Sequence, residues 1–263
     1  MHNLKNKKLF LLDMDGTIYL DNDLFDGTVE FLDYVKSIGG RYIFLTNNSS
    51  KSVDKYIEKL ASLGIKSEKE DFLTSTNATI LYLKKQNYKK IYGFGTVSFV
   101  EQLKEAGLNV VTELCDDIDC LCMGNDTELT FKKLEDACIL LGRGVDYVAT
   151  NPDWVCPTSY GFVPDCGAVA QMLHHATKRT PKFIGKPEPE MAYLAMEATG
   201  YNPCETALFG DRLYTDIACG VNAGITSVFV LSGEGTMKDV EASDVKPHLI
   251  YKNIKDIYEE LSK

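Results

Sequence analysis

The chain has 263 residues, of which 44% are hydrophobic, and carries a formal net charge of −10. That composition supports a buried core and excludes wholesale disorder. The acidic balance argues against a nucleic-acid surface, which needs clustered Lys and Arg, but leaves room for a small anionic substrate held by a local positive site.

No segment approaches the roughly 18 apolar residues of a membrane span. The basic N-terminus is followed by an apolar run that stops at Asp13, too soon for a signal peptide. The eight cysteines are scattered from Cys115 to Cys219 with no Cys-x-x-Cys spacing. Reduced thiols in a cytoplasmic protein, without membrane or nucleic-acid partners, are the expectation.

In chain order, Lys8–Leu12 reads as a buried parallel strand, and it runs straight into Asp13-Met14-Asp15-Gly16-Thr17. Two carboxylates two residues apart therefore sit at the carboxyl end of a strand, where open α/β sheets bind ligands. Such a pair is able to hold a hard cation, to attack and to move protons; an acidic turn has the same composition. Val29, Leu32, Val35 and Ile38 have helical spacing, ended by Gly39-Gly40. Arg41–Leu45 reads as a second strand, closed by Thr46-Asn47-Asn48, and a helix over Val53–Leu63 follows. Thr46 and Asn47 suit either helix capping or a phosphate at a helix N-terminus.

A second α/β unit begins near residue 79. Strands are predicted at Lys89–Phe94, Leu108–Val111, Asp119–Met123 and Val145–Thr150, with helices over Val97–Ala106 and Phe131–Leu141. A long loop, Asn151–Gly167, then holds the only Trp, and loops of this length are often functional. From Lys182 the first pattern resumes. Gly185-Lys186-Pro187 follows a short apolar run, and Gly210-Asp211-Arg212-Leu213-Tyr214-Thr215-Asp216 follows the strand Thr206–Phe209. The α/β organisation is thus a parallel-sheet core interrupted by an inserted domain: residues 1–78 with 182–263, and 79–181 between them.

These four polar clusters, in this order, resemble the motifs of the haloacid dehalogenase superfamily. LFLLDMDGT is similar to its first motif, FLTNN to its second, GKPEPE to its third and GDRLYTD to its fourth. The long gap between the second and third matches the large α/β cap inserted into a Rossmann-like core. DGTIY, TNNSS, TNPD, GKPEP and GDRLYTDI look like the NagD and p-nitrophenyl phosphatase branch, subclass IIA.

The resemblance implies a phosphatase of small phosphate monoesters that depends on Mg²⁺ and passes through an aspartyl-phosphate. It makes Asp13 the nucleophile and Asp15 the general acid and base. It assigns Mg²⁺ to the Asp13 carboxylate, the Asp15 backbone carbonyl and Asp211, with Asp216 supporting that shell, and the phosphoryl group to Thr46, Asn47 and Lys186. Asp15 separates this reading from the dehalogenases, which lack an Asp there, and from the P-type ATPases. In the cap loop, Trp154, Tyr160 and Phe162 are the candidates for contact with the leaving group, a small phosphorylated metabolite. The resemblance also implies homo-oligomerisation through the cap. A phosphotransferase using the same intermediate, and a non-catalytic metabolite-binding protein of the same fold, stay open.

Overall fold

The structure is a computed structural model and describes residues 3–158 and 161–263. The chain forms two compact units: one of Met1–Thr46, Val53–Leu73 and Lys186–Lys263, the other of Asn47–Ser52 and Thr74–Gly185. None of the helices among the described residues is long and apolar enough to cross a membrane.

The first unit holds a six-stranded sheet in the order Leu249–Tyr251, Thr226–Val230, Thr206–Gly210, Leu9–Leu12, Arg41–Thr46, Phe72–Thr74. Leu9–Leu12 is central and parallel to both neighbours, with Leu12 in register with Phe209 and Phe44. All four of its residues are buried, as a strand covered on both faces requires. Phe10, Phe31 and Phe209 stack and cross edge-on at centroid distances of 5.6, 5.8 and 5.9 Å. Truncating one of them to Ala would cost about 3–5 kcal/mol.

Phe31 and Val35 are buried four residues apart on helix Thr28–Ser37, and Ile254, Ile257 and Leu261 form the buried stripe of helix Ile254–Leu261. Asn253 caps the latter by accepting from the Asp256 N–H at 3.0 Å.

The second unit has a five-stranded sheet in the order Lys182–Phe183, Asp146–Ala149, Cys120–Met123, Ile91–Phe94, Val110–Val111, with parallel pairings throughout. Helices Phe131–Gly142 and Cys166–Thr177 cover it and start at Thr130 and Asp165, whose side chains accept from Lys133 N and Cys166 N. The segment Asn47–Ser52 belongs to this unit. Ser49 Oγ lies 3.0 Å from Thr150 Oγ1 and accepts from Asn125 N, while Asn47 O accepts from Ser75 Oγ and Asn151 Nδ2.

One expectation about the fold needs correcting. Asn151–Gly167 is not a structureless loop: Val155–Thr158 pairs antiparallel with Gly161–Pro164, and helix Cys166–Thr177 already begins inside the span. The ribbon carries prolines at 157 and 164 and has no buried face along Gly161–Pro164, so it lacks the alternation by which strands are recognised. A second small hairpin, Tyr19–Leu20 with Asp23–Leu24, turns through Asp21 at φ 50°. None of the eight cysteines is in a disulfide, and four of them are buried.

Candidate active site

Asp13 is the first residue past the central strand, and its N–H still donates to Phe209 O at 2.9 Å. Asp211 follows the neighbouring strand Thr206–Gly210 in the same way. Two carboxylates thus leave adjacent strand ends side by side. A third, Asp216, returns to the edge on the π-helical turn Leu213–Ile217, which begins two residues after Asp211. Gly210 makes room for it, since a Cβ there would overlap Asp216. Oxygens of Asp13, Asp211 and Asp216 all lie within 4.8 Å of one another; Asp211 and Asp216 are buried, and the Asp13 side chain is 14% exposed.

Lys186 supplies the opposing charge. It is 2% exposed, and its ammonium donates to Asp13 Oδ1 at 2.5 Å, Asp216 Oδ1 at 2.6 Å and Leu45 O at 3.0 Å. Burial alone would favour the neutral amine, but the two carboxylates reverse this and raise the lysine, so it stays protonated. Asp216 also accepts from Arg212 N through Oδ2 at 3.1 Å, so both of its oxygens are engaged.

Asp211 differs. Its Oδ2 accepts from Glu234 N at 2.6 Å, while its buried Oδ1 has no hydrogen-bond partner among the described residues. Burial, and then the charge of Asp216, push the Asp211 carboxyl up to about 7. Burial and the same neighbour raise Asp13 as well, against the pull of Lys186. With all three ionised, three carboxylates against one ammonium would leave an excess of two negative charges in a desolvated space, which is what raises Asp13 and Asp211. A divalent cation removes that excess and gives Oδ1 of Asp211 a partner, so this donor set fits a hard metal ion.

Asp15 is half-exposed beside this cluster. Its Oδ2 accepts from Tyr19 OH at 3.3 Å, and the Lys59 ammonium lies 3.7 Å from its Oδ1. Tyr19 is fully buried, which pushes its phenol up and keeps it a donor. Thr46 is buried at the end of strand Arg41–Thr46, directly after the carbonyl that receives Lys186.

Of the residues singled out from sequence, Asp13, Asp15, Thr46, Lys186, Asp211 and Asp216 fall in the first unit. Asn47 falls in the second, where its side-chain amide donates to Asp153 Oδ2 at 3.1 Å. Trp154 and Phe162 are 55% and 63% exposed around the ribbon of that unit, and Tyr160 lies outside the described residues.

Sequence reasoning did not single out Asp153, Tyr19, Lys59 or the Leu45 carbonyl. Asp153 carried a signal, an acid two residues after Asn151 at a strand end. Tyr19 ends the DGTIY stretch without a role read for it, and the other two carried no signal, because a helix-borne lysine and a backbone oxygen are indistinguishable from their neighbours until the chain folds.

A family model described as haloacid dehalogenase-like hydrolase matches residues 10–109, and one described as HAD-hydrolase-like matches residues 183–257. An acid sugar phosphatase of Staphylococcus aureus is 34% identical over 261 residues, covering 99% of this chain and 100% of that protein. Among solved structures, a 4-nitrophenylphosphatase from Thermotoga maritima superposes with a TM-score of 0.92 at 37% identity, covering 99% of this chain and 100% of the other. NagD from E. coli K-12 gives 0.86 at 29% identity, covering 95% and 98%.

Proposed function

The chain belongs to the haloacid dehalogenase-like hydrolases, in their NagD-like branch, and from that premise we propose that it is a Mg²⁺-dependent phosphatase of small phosphate monoesters. The observation that carries the reading is one buried lysine shared by two carboxylates, beside a third whose inner oxygen has no hydrogen-bond partner among the described residues. A structural ion pair needs one carboxylate; this cluster has charge and lone pairs to spare.

In this reading Asp13 Oδ attacks phosphorus, forming the aspartyl-phosphate as the bond to the alcohol oxygen breaks. Asp15 hands its proton to that oxygen, then takes one from the water that attacks the same phosphorus and frees Asp13. Lys186 and Thr46 hold the phosphoryl oxygens, and Asn47 joins them. The ion would be held by the carboxylates of Asp13 and Asp211 and the backbone carbonyl of Asp15, with Asp216 supporting them. When bound, it offsets the negative charge that the phosphoryl group and the carboxylates share.

Charge is the main obstacle. A carboxylate approaching a phosphate anion meets about 4 kcal/mol of repulsion per unit pair at roughly 4 Å and an effective dielectric of about 20. Lys186 lowers it from the protein side, and the two carboxylates that accept from its ammonium keep it protonated. The named relatives act on sugar phosphates and nitrophenyl phosphate, which favours a small phosphorylated metabolite here, contacted by Trp154 and Phe162.

Turnover of p-nitrophenyl phosphate is the test. It is expected to stop with EDTA and to return with Mg²⁺. Turnover that ignores EDTA would overturn the metal assignment, and absence of phosphate release from any of a panel of phosphorylated metabolites would overturn the activity.

A further inference from the structure

Asp15 is held from one side by two residues that the proposed chemistry does not use. Tyr19 closes the turn that begins at Asp15: Gly16 N donates to Tyr19 O at 2.8 Å, and the Tyr19 hydroxyl reaches back to Asp15 Oδ2 at 3.3 Å. Lys59 comes from helix Val53–Ser62, which is anchored by buried Tyr56 and Leu60. Its ammonium lies 3.7 Å from the centroid of the Tyr19 ring and 3.7 Å from Asp15 Oδ1. Each Asp15 oxygen therefore has its own neighbour, and those neighbours touch each other through a cation–π contact. Rotation of the carboxyl about its terminal bond would break one contact or the other. Yet 37% of the Asp15 side chain stays open, so the group is fixed without being covered, while Lys59 is only 21% exposed.

We propose that Tyr19 and Lys59 are positioning residues that hold the Asp15 carboxyl at the angle needed to protonate the departing oxygen. This rests on the reading of Asp15 as the proton donor. A general acid works only within hydrogen-bond reach of its target, and a side chain free to rotate spends part of its time outside it. In the step concerned, the phosphorus–oxygen bond breaks, its electron pair stays on the alcohol oxygen, and the Asp15 proton goes to that oxygen. A nitrophenolate leaves readily as an anion, whereas an unsubstituted phenolate gains more from the proton. Loss of positioning is therefore felt in proportion to leaving-group basicity, which a merely structural role does not produce.

The experiment measures kcat/KM for substituted phenyl phosphates, from p-nitrophenyl to phenyl, on the parent, Asp15→Asn, Tyr19→Phe, Lys59→Met and Lys59→Arg. Asp15→Asn is expected to lose about 100-fold on phenyl phosphate and much less on the nitrophenyl ester. Tyr19→Phe and Lys59→Met are expected to lose about 10-fold and under about 3-fold respectively on the same two esters, with Lys59→Arg restoring most of the loss. If Asp15→Asn is selective but Tyr19→Phe and Lys59→Met lower both esters equally or neither, the positioning role is overturned and Asp15 stands. If Asp15→Asn shows no dependence on the leaving group, Asp15 is not the donor and both readings fall.

Discussion

In the unit built on Leu9–Leu12, three carboxylates and one lysine meet beyond the strand ends; in the unit built on Cys120–Met123, buried Asp126 and Asp136 each have a lysine. Asp126 pairs with Lys133 at 2.8 Å, and Lys133 also donates to Gly95 O and Glu128 O. Asp136 pairs with Lys132 at 2.5 Å and accepts from Tyr92 OH at 3.1 Å. Both units have parallel strands with a buried acid past a strand end, Asp211 in one and Asp126 in the other, so topology does not tell them apart. Charge balance does. Where each acid has a partner the charges are spent on structure, and where acids outnumber cations the remainder is available to a ligand.

The largest effect that tests this contrast belongs to the surplus side. Asp13→Asn keeps the shape and removes the attacking charge, so turnover of p-nitrophenyl phosphate should fall by about 10⁴-fold or more with the melting temperature little lowered. Retained turnover, with deamidation excluded by mass spectrometry, would remove Asp13 from the chemistry.

Lys186→Met comes next. It leaves Asp13 and Asp216 without their shared donor, at a cost of about 3–5 kcal/mol in denaturant unfolding. Turnover should drop by roughly 10²–10³-fold, as for other lost electrostatic donors.

A cation should stabilise only the surplus side. Mg²⁺ at about 100 times its dissociation constant is expected to add about 2.7 kcal/mol to the parent and nearly nothing to Asp211→Asn. In EDTA, acidity should act in the opposite sense to the usual carboxylate. The folded-state Asp211 carboxyl stands at about 7 against an ordinary 3.8, so between those values the folded state binds more protons than the unfolded one. Stability contributed by the protonated group is then full below the ordinary value and is lost as pH rises through about 7. Melting at pH 5 and pH 8 should show this decline in the parent and a smaller one in Asp211→Asn.

The smallest effect belongs to the balanced side. Asp126→Asn should cost about 1–2 kcal/mol in urea unfolding while leaving kcat and the Mg²⁺-linked shift in place. A change in that shift would mean that surplus charge is not what separates the two units.

The strand-end clusters at Asp13, Thr46 and Asp211 were legible because buried parallel strands are short apolar runs, and polar residues at their ends stand out; Lys186 was legible from the Gly-Lys-Pro around it, since Lys182–Phe183 before it is a two-residue edge strand of the other unit's sheet. Asp216 was legible as a second acid but not as a returning one, since the π-helical turn that brings it back has no sequence mark. The pairing of Val155–Thr158 with Gly161–Pro164 was hidden by its prolines and by the lack of a buried face along Gly161–Pro164, which imitate a loop. Asn47 was read as part of the phosphoryl site, and its neighbour Asp153 depends on pairing across a long stretch of chain that no local pattern encodes.

Asp211 is also hemmed in by Gly16 and Gly233: a Cβ at either position would overlap its carboxylate, and Gly16 stands at φ +89°. Neither glycine has a side chain to lend to any reaction. In a library of all single substitutions scored by growth or turnover, both positions should nonetheless be as intolerant as the nucleophile itself. The tolerance map would then outline the acid by the empty space reserved for it, from two sites at opposite ends of the gene.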